Sequence, residues 1–90
     1  MSRVLQSPRH EALRAFIVEK RKQAGLTQTE VAKKLGRHQP YVSEVEGGQR
    51  RVSAVELMDL GEAIGFDPHE AVERMRTYDL TNMPAVGNSW

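Results

Sequence analysis

The sequence has no cysteine, which excludes disulfide bonds and thiolate metal sites. That composition fits an intracellular setting, and we expect a cytoplasmic protein. No apolar run approaches the length that crosses a bilayer, and the first residues lack the apolar core of a signal peptide. The chain has only 90 residues, so we expect one domain with a thin core and no second large domain with its own ligand pocket.

The net charge is small, but it is unevenly distributed along the chain. Residues 1–51 carry 11 Lys and Arg against 5 Asp and Glu, whereas residues 52–90 carry 2 against 7. A basic half and an acidic half in so small a domain predict a surface with two oppositely charged sides. The asymmetry alone favours nucleic-acid binding only modestly, because helical proteins also distribute charge unevenly by chance.

Long alternation of apolar and polar residues, the pattern of half-buried strands, is also missing. Capping and proline signals occur instead where helices begin, and glycines follow several of the predicted helices. The start signals are Ser7 with Pro8, Thr27 with Glu30, Gln39 with Pro40, Ser53 with Glu56, and Asp67 with Pro68 and Glu70. The pattern predicts five helices and an all-α fold, with a domain over residues 1–76 and a tail over residues 77–90.

Residues 27–47 contain two short predicted helices joined by a single glycine. Gly36 adopts a positive φ without steric cost, as this turn requires. Ala32, one helical turn earlier, lets the two helices approach closely at a steep angle. The positions then predicted to face outward are Arg37, His38, Gln39, Pro40, Ser43 and Glu44. A helix mounted in this way protrudes far enough to enter the DNA major groove.

This pattern resembles the Cro and phage-repressor type of helix-turn-helix family, also called Xre-like. The resemblance covers residues 12–68 and is carried by G-L-T-Q, E-V-A, L-G and V-S-x-V-E-x-G in order. It implies a five-helix, lambda-repressor-like domain with its motif at residues 28–47, which binds double-stranded DNA as a homodimer. We interpret the chain as a transcriptional repressor or autoregulator that acts on a palindromic operator, without enzymatic activity and without a cofactor.

The resemblance assigns base-reading roles to four residues of the second motif helix. Gln39 is the strongest candidate, because glutamine can form two hydrogen bonds with adenine. Ser43 can donate or accept a hydrogen bond, and Glu44 can accept one from cytosine. Pro40 departs from the polar residue more usual at its position, so we expect it only to touch a thymine methyl or to set the helix entry.

Further residues are predicted to contact phosphates, which position a domain without reading sequence. Gln28 matches a position whose side chain and backbone amide bind a phosphate, and a helix N-terminus independently favours an anion. His38 can reach a phosphate or a base, or be simply an exposed turn residue. Tyr41 is expected to pack along the DNA backbone or contact phosphate. The remaining predicted phosphate contacts are Arg37, Arg50 and Arg51.

Arg21 and Glu46 resemble the arginine–glutamate pair that links helix 1 to helix 3 in this family. Glu46 lies near a helix C-terminus, where a negative charge needs a compensating cation. Arg21 can supply this cation and form a bidentate pair with the carboxylate. Apolar residues of helix 5 and the tail are the candidate dimer surface, unless they complete the core of the monomer. They are Phe66, Val72, Met75, Leu80 and Met83.

Functions other than DNA binding fit the sequence less well. His10, His38 and His69 lie on three different elements without metal-ligand spacing, so no metal site is predicted. His38, Ser43 and Glu44 are neighbours on one convex helix, which cannot enclose a substrate. The serious alternative is an antitoxin-like or protein-interaction module with the same fold. An apolar outer face on helix 3 would favour that alternative, whereas the polar face in this sequence favours DNA.

Overall fold

A computed structural model describes the backbone of residues 7–82 and the side chains of residues 7–77. In these ranges the chain forms five α-helices and no strand, which confirms the predicted all-α class. The helices are α1 (Pro8–Gln23), α2 (Gln28–Leu35), α3 (Gln39–Gly47), α4 (Ala54–Ile64) and α5 (Pro68–Asn82). None of these described helices has the length and apolar character that a bilayer span requires.

The helices begin where the capping residues predicted. Ser7 accepts a backbone N–H through its side chain at 3.1 Å at the start of α1. In the capping box of α2, Thr27 and Glu30 each accept the backbone N–H of the other, at 3.1 and 2.8 Å. Ser53 and Glu56 repeat this arrangement at α4, also at 3.1 and 2.8 Å. These bonds satisfy amides that have no partner within the helix, and each cap typically contributes about 1 kcal/mol.

The core lies where α1 packs on α3, α4 and α5 and where α2 packs on α3 and α4. The most extensive contact of α1 is with α5. Phe16 lies at the centre, and its ring meets that of Phe66 edge-on with centroids 5.0 Å apart. The other large side chains that are fully buried are Ile17, Val31, Val42, Val45 and Leu60. Burying each of them stabilises the fold by roughly 1.5–3 kcal/mol before entropy is subtracted.

One prediction about apolar residues needs correction. Phe66 was a candidate dimer contact, but only 9% of it is exposed, because its ring fills the core against Phe16. Val55 is an apolar residue of α4, yet it is 68% exposed. The buried residues of α4 are Leu57, Leu60, Gly61 and Ile64, so Val55 lies on the opposite side of the helix.

The last helix is longer than the sequence pattern indicated. α5 continues past the predicted domain limit at residue 76 to Asn82, so the predicted tail begins within this helix. Of the proposed dimer contacts beyond that limit, the side chain of Leu80 and all of Met83 lie outside the described residues.

Candidate nucleic-acid interface

The turn between α2 and α3 has the geometry that the sequence predicted. Gly36 adopts φ 70° and ψ 31°, in the left-handed region, and its N–H donates to the carbonyl of Lys33 at 3.1 Å. The N–H of Arg37 donates to the carbonyl of Ala32 at 2.9 Å. Ala32 is buried where the two helices pack, so a small side chain allows the close approach.

The helix α3 separates a buried side from a polar outer side. The buried residues are Tyr41, Val42, Val45 and Glu46. The four predicted base-reading residues lie on the remaining surface: Pro40 and Glu44 are exposed, and Gln39 and Ser43 are half-buried. The Ser43 hydroxyl donates to the Pro40 carbonyl at 3.1 Å, which leaves its oxygen lone pairs as acceptors. Contact of these residues with bases stays a prediction.

Four side chains form a hydrogen-bonded row from α1 to the start of α3. Arg21 donates from Nε to Glu46 Oε2 at 2.6 Å and from Nη2 to Oε1 at 3.0 Å, as the ion-pair prediction required. Gln28 Nε2 donates to Glu46 Oε1 at 2.9 Å. Gln39 Nε2 then donates to Gln28 Oε1 at 2.8 Å. The outermost member of the row, Gln39, is therefore held by a partner on α2.

The inner end of this row is shielded from water. The side chains of Arg21 and Glu46 are 12% and 6% exposed. Their hydrogen bond raises the pKa of Arg21 above its usual value, so the guanidinium stays charged. Arg21 also donates to the Leu26 carbonyl at 2.8 Å, and Arg14 donates to the Glu46 carbonyl at 2.8 Å. The pair thus connects α1, the α1–α2 turn and the end of α3.

The row changes the interpretation of Gln28. Both polar atoms of its side-chain amide are hydrogen-bonded within the protein: Nε2 donates to Glu46, and Oε1 accepts from Gln39. The Gln28 side chain therefore holds Gln39 in place. Gln28 is also the first residue of α2, where the backbone N–H has no partner within the helix. Phosphate binding by Gln28 therefore stays a prediction for the backbone amide. For Gln39, one amide hydrogen is used, which leaves Oε1 and the second hydrogen for a two-bond contact with adenine.

A second cluster, the Tyr41 cluster, consists of Arg37, Tyr41, Arg50 and Glu56. The guanidinium carbons of Arg37 and Arg50 lie 4.2 and 4.7 Å from the centre of the Tyr41 ring. Glu56 Oε2 lies 3.7 Å from Arg37 Nη2 and 3.5 Å from Arg50 Nη2. From the sequence alone, Glu56 is only a capping residue, because nothing in its own helix signals its contact with Arg37 and Arg50.

The environment of Tyr41 contradicts its predicted role at the DNA backbone. The residue is only 7% exposed and belongs to the hydrophobic core. Burial raises the pKa of its hydroxyl, and the nearby charge of Glu56 acts in the same direction. Tyr41 is therefore a platform for two arginines rather than a surface group.

The other predicted phosphate contacts are accessible. Arg37, His38 and Arg51 are exposed, and Arg50 is half-buried. His38 is the N-cap residue of α3, but its side chain makes no capping hydrogen bond. These residues flank α3 on both sides in the sequence, which suits groups that position a helix on a duplex.

The remaining dimer candidates lie beside an apolar groove between α1, α4 and α5. Val72 is 46% exposed, and Met75 is partly buried against the core. Both line a groove of about 420 Å³. The other apolar side chains of the groove are Leu13, Val52, Ala54 and Leu57. Val55 and Met58 form a separate exposed pair on α4.

Comparison with known proteins supports the same identification. Residues 7–73 match the family described as the helix-turn-helix domain. Over 52 residues, the chain is 38% identical to an uncharacterized HTH-type transcriptional regulator, y4dJ, from Sinorhizobium fredii; the match covers 58% of this chain and 68% of that protein.

Two solved structures have the same fold. An XRE-family like protein from Pseudomonas syringae pv. tomato is 39% identical with a TM-score of 0.72, and the match covers 77% of this chain and 84% of that one. The clp gene regulator ClgR from C. glutamicum is 26% identical with a TM-score of 0.71, and the match covers 80% and 94%. Together with the motif geometry, these matches show that the chain belongs to the Xre-like helix-turn-helix family of DNA-binding transcriptional regulators.

Proposed function

We propose that this protein binds double-stranded DNA sequence-specifically as a homodimer and acts as a transcriptional repressor or autoregulator. The outer side of α3 enters the major groove, and Gln39, Ser43 and Glu44 read base edges there. Arg37, His38, Arg50 and Arg51 contact phosphates on either side of the groove.

The observation that carries this proposal is the arrangement around Gln39. An exposed glutamine at the start of a helix loses much rotamer freedom when it binds a base, and that loss weakens binding. Here Gln39 is held by Gln28, which is held in turn by the buried Glu46–Arg21 pair. Part of the ordering cost is therefore met during folding, before any DNA is bound.

The homodimer part of the proposal rests on the groove beside Val72. Its lining is mainly apolar, and a second copy of the chain can fill it with the same residues across a two-fold axis. We expect the two α3 helices of such a dimer to meet half-sites about one helical turn apart, roughly 34–36 Å.

Selection of bound sequences from a random duplex pool tests the DNA-reading proposal. We expect enrichment of a palindrome with half-sites about 10 base pairs apart, centre to centre. Gln39→Ala should relax the choice of base at one position in each half-site. Gln23→Ala, which removes an exposed glutamine of α1, is the matched control and should leave the enriched sequence unchanged.

The regulatory part is tested with a reporter gene that carries the enriched palindrome in its promoter. Expression should fall when the protein is present and recover with the Gln39→Ala variant. The antitoxin-like alternative would be favoured by a different result: the folded protein enriches no sequence from the pool but captures a specific protein partner.

A further inference from the structure

Glu56 joins two structural features that are separate in the sequence. Its Oε1 accepts the backbone N–H of Ser53 at 2.8 Å, which is half of the capping box of α4. Its Oε2 faces Arg37 and Arg50 at 3.7 and 3.5 Å. The carboxylate is 17% exposed, so the cap orients it from one side and leaves the second oxygen to the arginines.

The two arginines lie at opposite ends of α3. Arg37 precedes the first residue of α3 by two positions, and Arg50 follows the last by three. Both guanidinium groups lie against the Tyr41 ring, which is fixed in the core. Two cations so close together repel each other, and the carboxylate of Glu56 offsets this repulsion.

Each arginine keeps part of its guanidinium available to a ligand. The side chains of Arg37 and Arg50 are 43% and 40% exposed, and each approaches Glu56 through Nη2. Arg50 Nε is buried without a hydrogen-bond partner, so its exposed groups are at the far end of the side chain. A guanidinium carries five N–H donors in one plane, which lets it face a carboxylate and a phosphate together.

The geometry points to Glu56 as a positioning residue that sets Arg37 and Arg50 as a pair of phosphate contacts bracketing α3. This inference rests on the proposed DNA binding and deepens it. Glu56 touches no DNA in this arrangement. It acts by holding two otherwise flexible cations at a fixed separation on the Tyr41 ring, so that both meet phosphates only when α3 is seated in one register.

Simple electrostatics predicts the opposite effect of removing Glu56. A carboxylate near the DNA surface repels phosphates, so neutralising it should tighten binding to every duplex. Positioning predicts instead that neutralising Glu56 weakens binding to the specific site while random duplexes gain from the added charge. The sign of the change on the specific site therefore separates the two explanations.

The test compares Glu56→Gln with Asp59→Asn. The glutamine of Glu56→Gln can still close the capping box. Asp59 is an exposed acidic residue about one turn further along α4, and it lines the same surface depression as Glu56. Each variant removes one negative charge and so raises the net charge of the protein by one unit. We expect Glu56→Gln to lower the ratio of affinities for the enriched palindrome and a random duplex by about tenfold. Asp59→Asn should change both affinities by the same factor and leave the ratio unaltered.

A second variant keeps the inference testable if Glu56→Gln fails to fold, which urea unfolding of each variant reveals. Arg50→Lys keeps the charge but cannot face carboxylate and phosphate with one planar group. It should lower the same ratio, and its combination with Glu56→Gln should lower it no further, because both changes remove one arrangement. Additive losses in the double variant would contradict the inference.

The outcomes also separate this inference from the proposed function. A wild-type protein that prefers the enriched palindrome, with Glu56→Gln tightening both duplexes as Asp59→Asn does, overturns the positioning role alone. A wild-type protein that binds palindrome and random duplex equally overturns the proposed sequence-specific function and the positioning role with it.

Discussion

At the scale of single residues, the outer side of α3 depends on side chains that lie beneath it. Gln39 is accessible, yet its orientation is set by Gln28 on another helix. Gln28 is set in turn by Glu46, whose carboxylate also accepts two bonds from Arg21. A substitution of Arg21, Glu46 or Gln28 should therefore change how Gln39 is held.

The first prediction concerns Gln39 and its support. Gln39→Ala should weaken binding to the enriched palindrome by about 1–3 kcal/mol, because a two-bond contact with adenine is lost. Gln28→Ala should cost less, since Gln39 can still reach the base but must first be ordered. The double variant should be no weaker than Gln39→Ala alone. Fluorescence titration of a labelled duplex measures all three, and fully additive losses would show that Gln28 acts independently, for example through a phosphate.

The second prediction concerns the buried ion pair. Glu46→Gln should lower the free energy of unfolding by about 3 kcal/mol, because it leaves the charge of Arg21 buried and uncompensated. The matched control is Glu19→Gln, which breaks the exposed pair between Glu19 and Arg74. That loss should be about 0–1 kcal/mol, because exposed pairs are screened by solvent. Urea unfolding measures the free energy of unfolding of both variants. Equal decreases in the two would show that burial of the Arg21–Glu46 pair contributes nothing.

At the scale of helices, the angle between α2 and α3 depends on one backbone conformation. Gly36 has φ 70°, and a Cβ placed on it would meet no atom within 4 Å. The requirement for glycine is therefore conformational and not steric. Gly61 differs, because a Cβ there would lie 2.8 Å from the Phe66 carbonyl oxygen, where α4 and the following chain approach closely.

The third prediction follows from this difference. Gly36→Ala should destabilise the fold by about 1–2 kcal/mol, the cost of left-handed backbone for a residue with a Cβ. Gly36→Asn should cost less, because asparagine tolerates that region. Gly61→Ala should cost more than Gly36→Ala, because the backbone itself must move. Thermal and urea unfolding measure the loss of stability in the three variants. If Gly36→Asn destabilised the fold as much as Gly36→Ala, the left-handed φ would not be the cause of the loss.

The start of α4 gives a fourth prediction, on pH. The backbone N–H of Ser53, helped by Arg50, lowers the pKa of Glu56 from its usual 4.5. The folded state therefore binds this proton more weakly than the unfolded chain does, and the ionised carboxylate stabilises the fold above pH 4.5. That stabilisation is lost as the pH falls through the lower, folded pKa. The stability difference between wild type and Glu56→Gln should thus shrink from pH 7 to pH 3 in urea unfolding; a constant difference would contradict it.

At the scale of the whole molecule, the features predicted from sequence are those that depend on neighbouring residues. The capping boxes at Thr27 and Ser53 need only residues three apart, and Gly36 ends α2 by its own backbone freedom. Features that distant elements decide could not be predicted in this way. The exposure of Val55 depends on the rotation of α4 against the core, which the apolar spacing of its sequence did not fix.

The candidate site shows the same division. The resemblance supplied the Arg21–Glu46 pair and the outer residues of α3, because they occur at fixed offsets in the motif. The Gln28–Gln39 bond and the Tyr41 cluster were missed, because both depend on side-chain orientation between separate helices. Burial of Tyr41 was missed for a related reason: an aromatic residue between a proline and a valine fits a core position as well as an exposed one.

The last prediction concerns the homodimer. Val72→Lys should raise the dissociation constant of the dimer about tenfold or more, because a two-fold axis brings each new lysine and its copy into one apolar groove. Met58→Lys is the matched control: it makes the same change on another exposed apolar residue, which does not line that groove. Sedimentation equilibrium measures both variants. If only Met58→Lys dissociates the dimer, the interface lies on α4; if the wild type is monomeric on a palindromic duplex as well as in solution, the homodimer proposal fails.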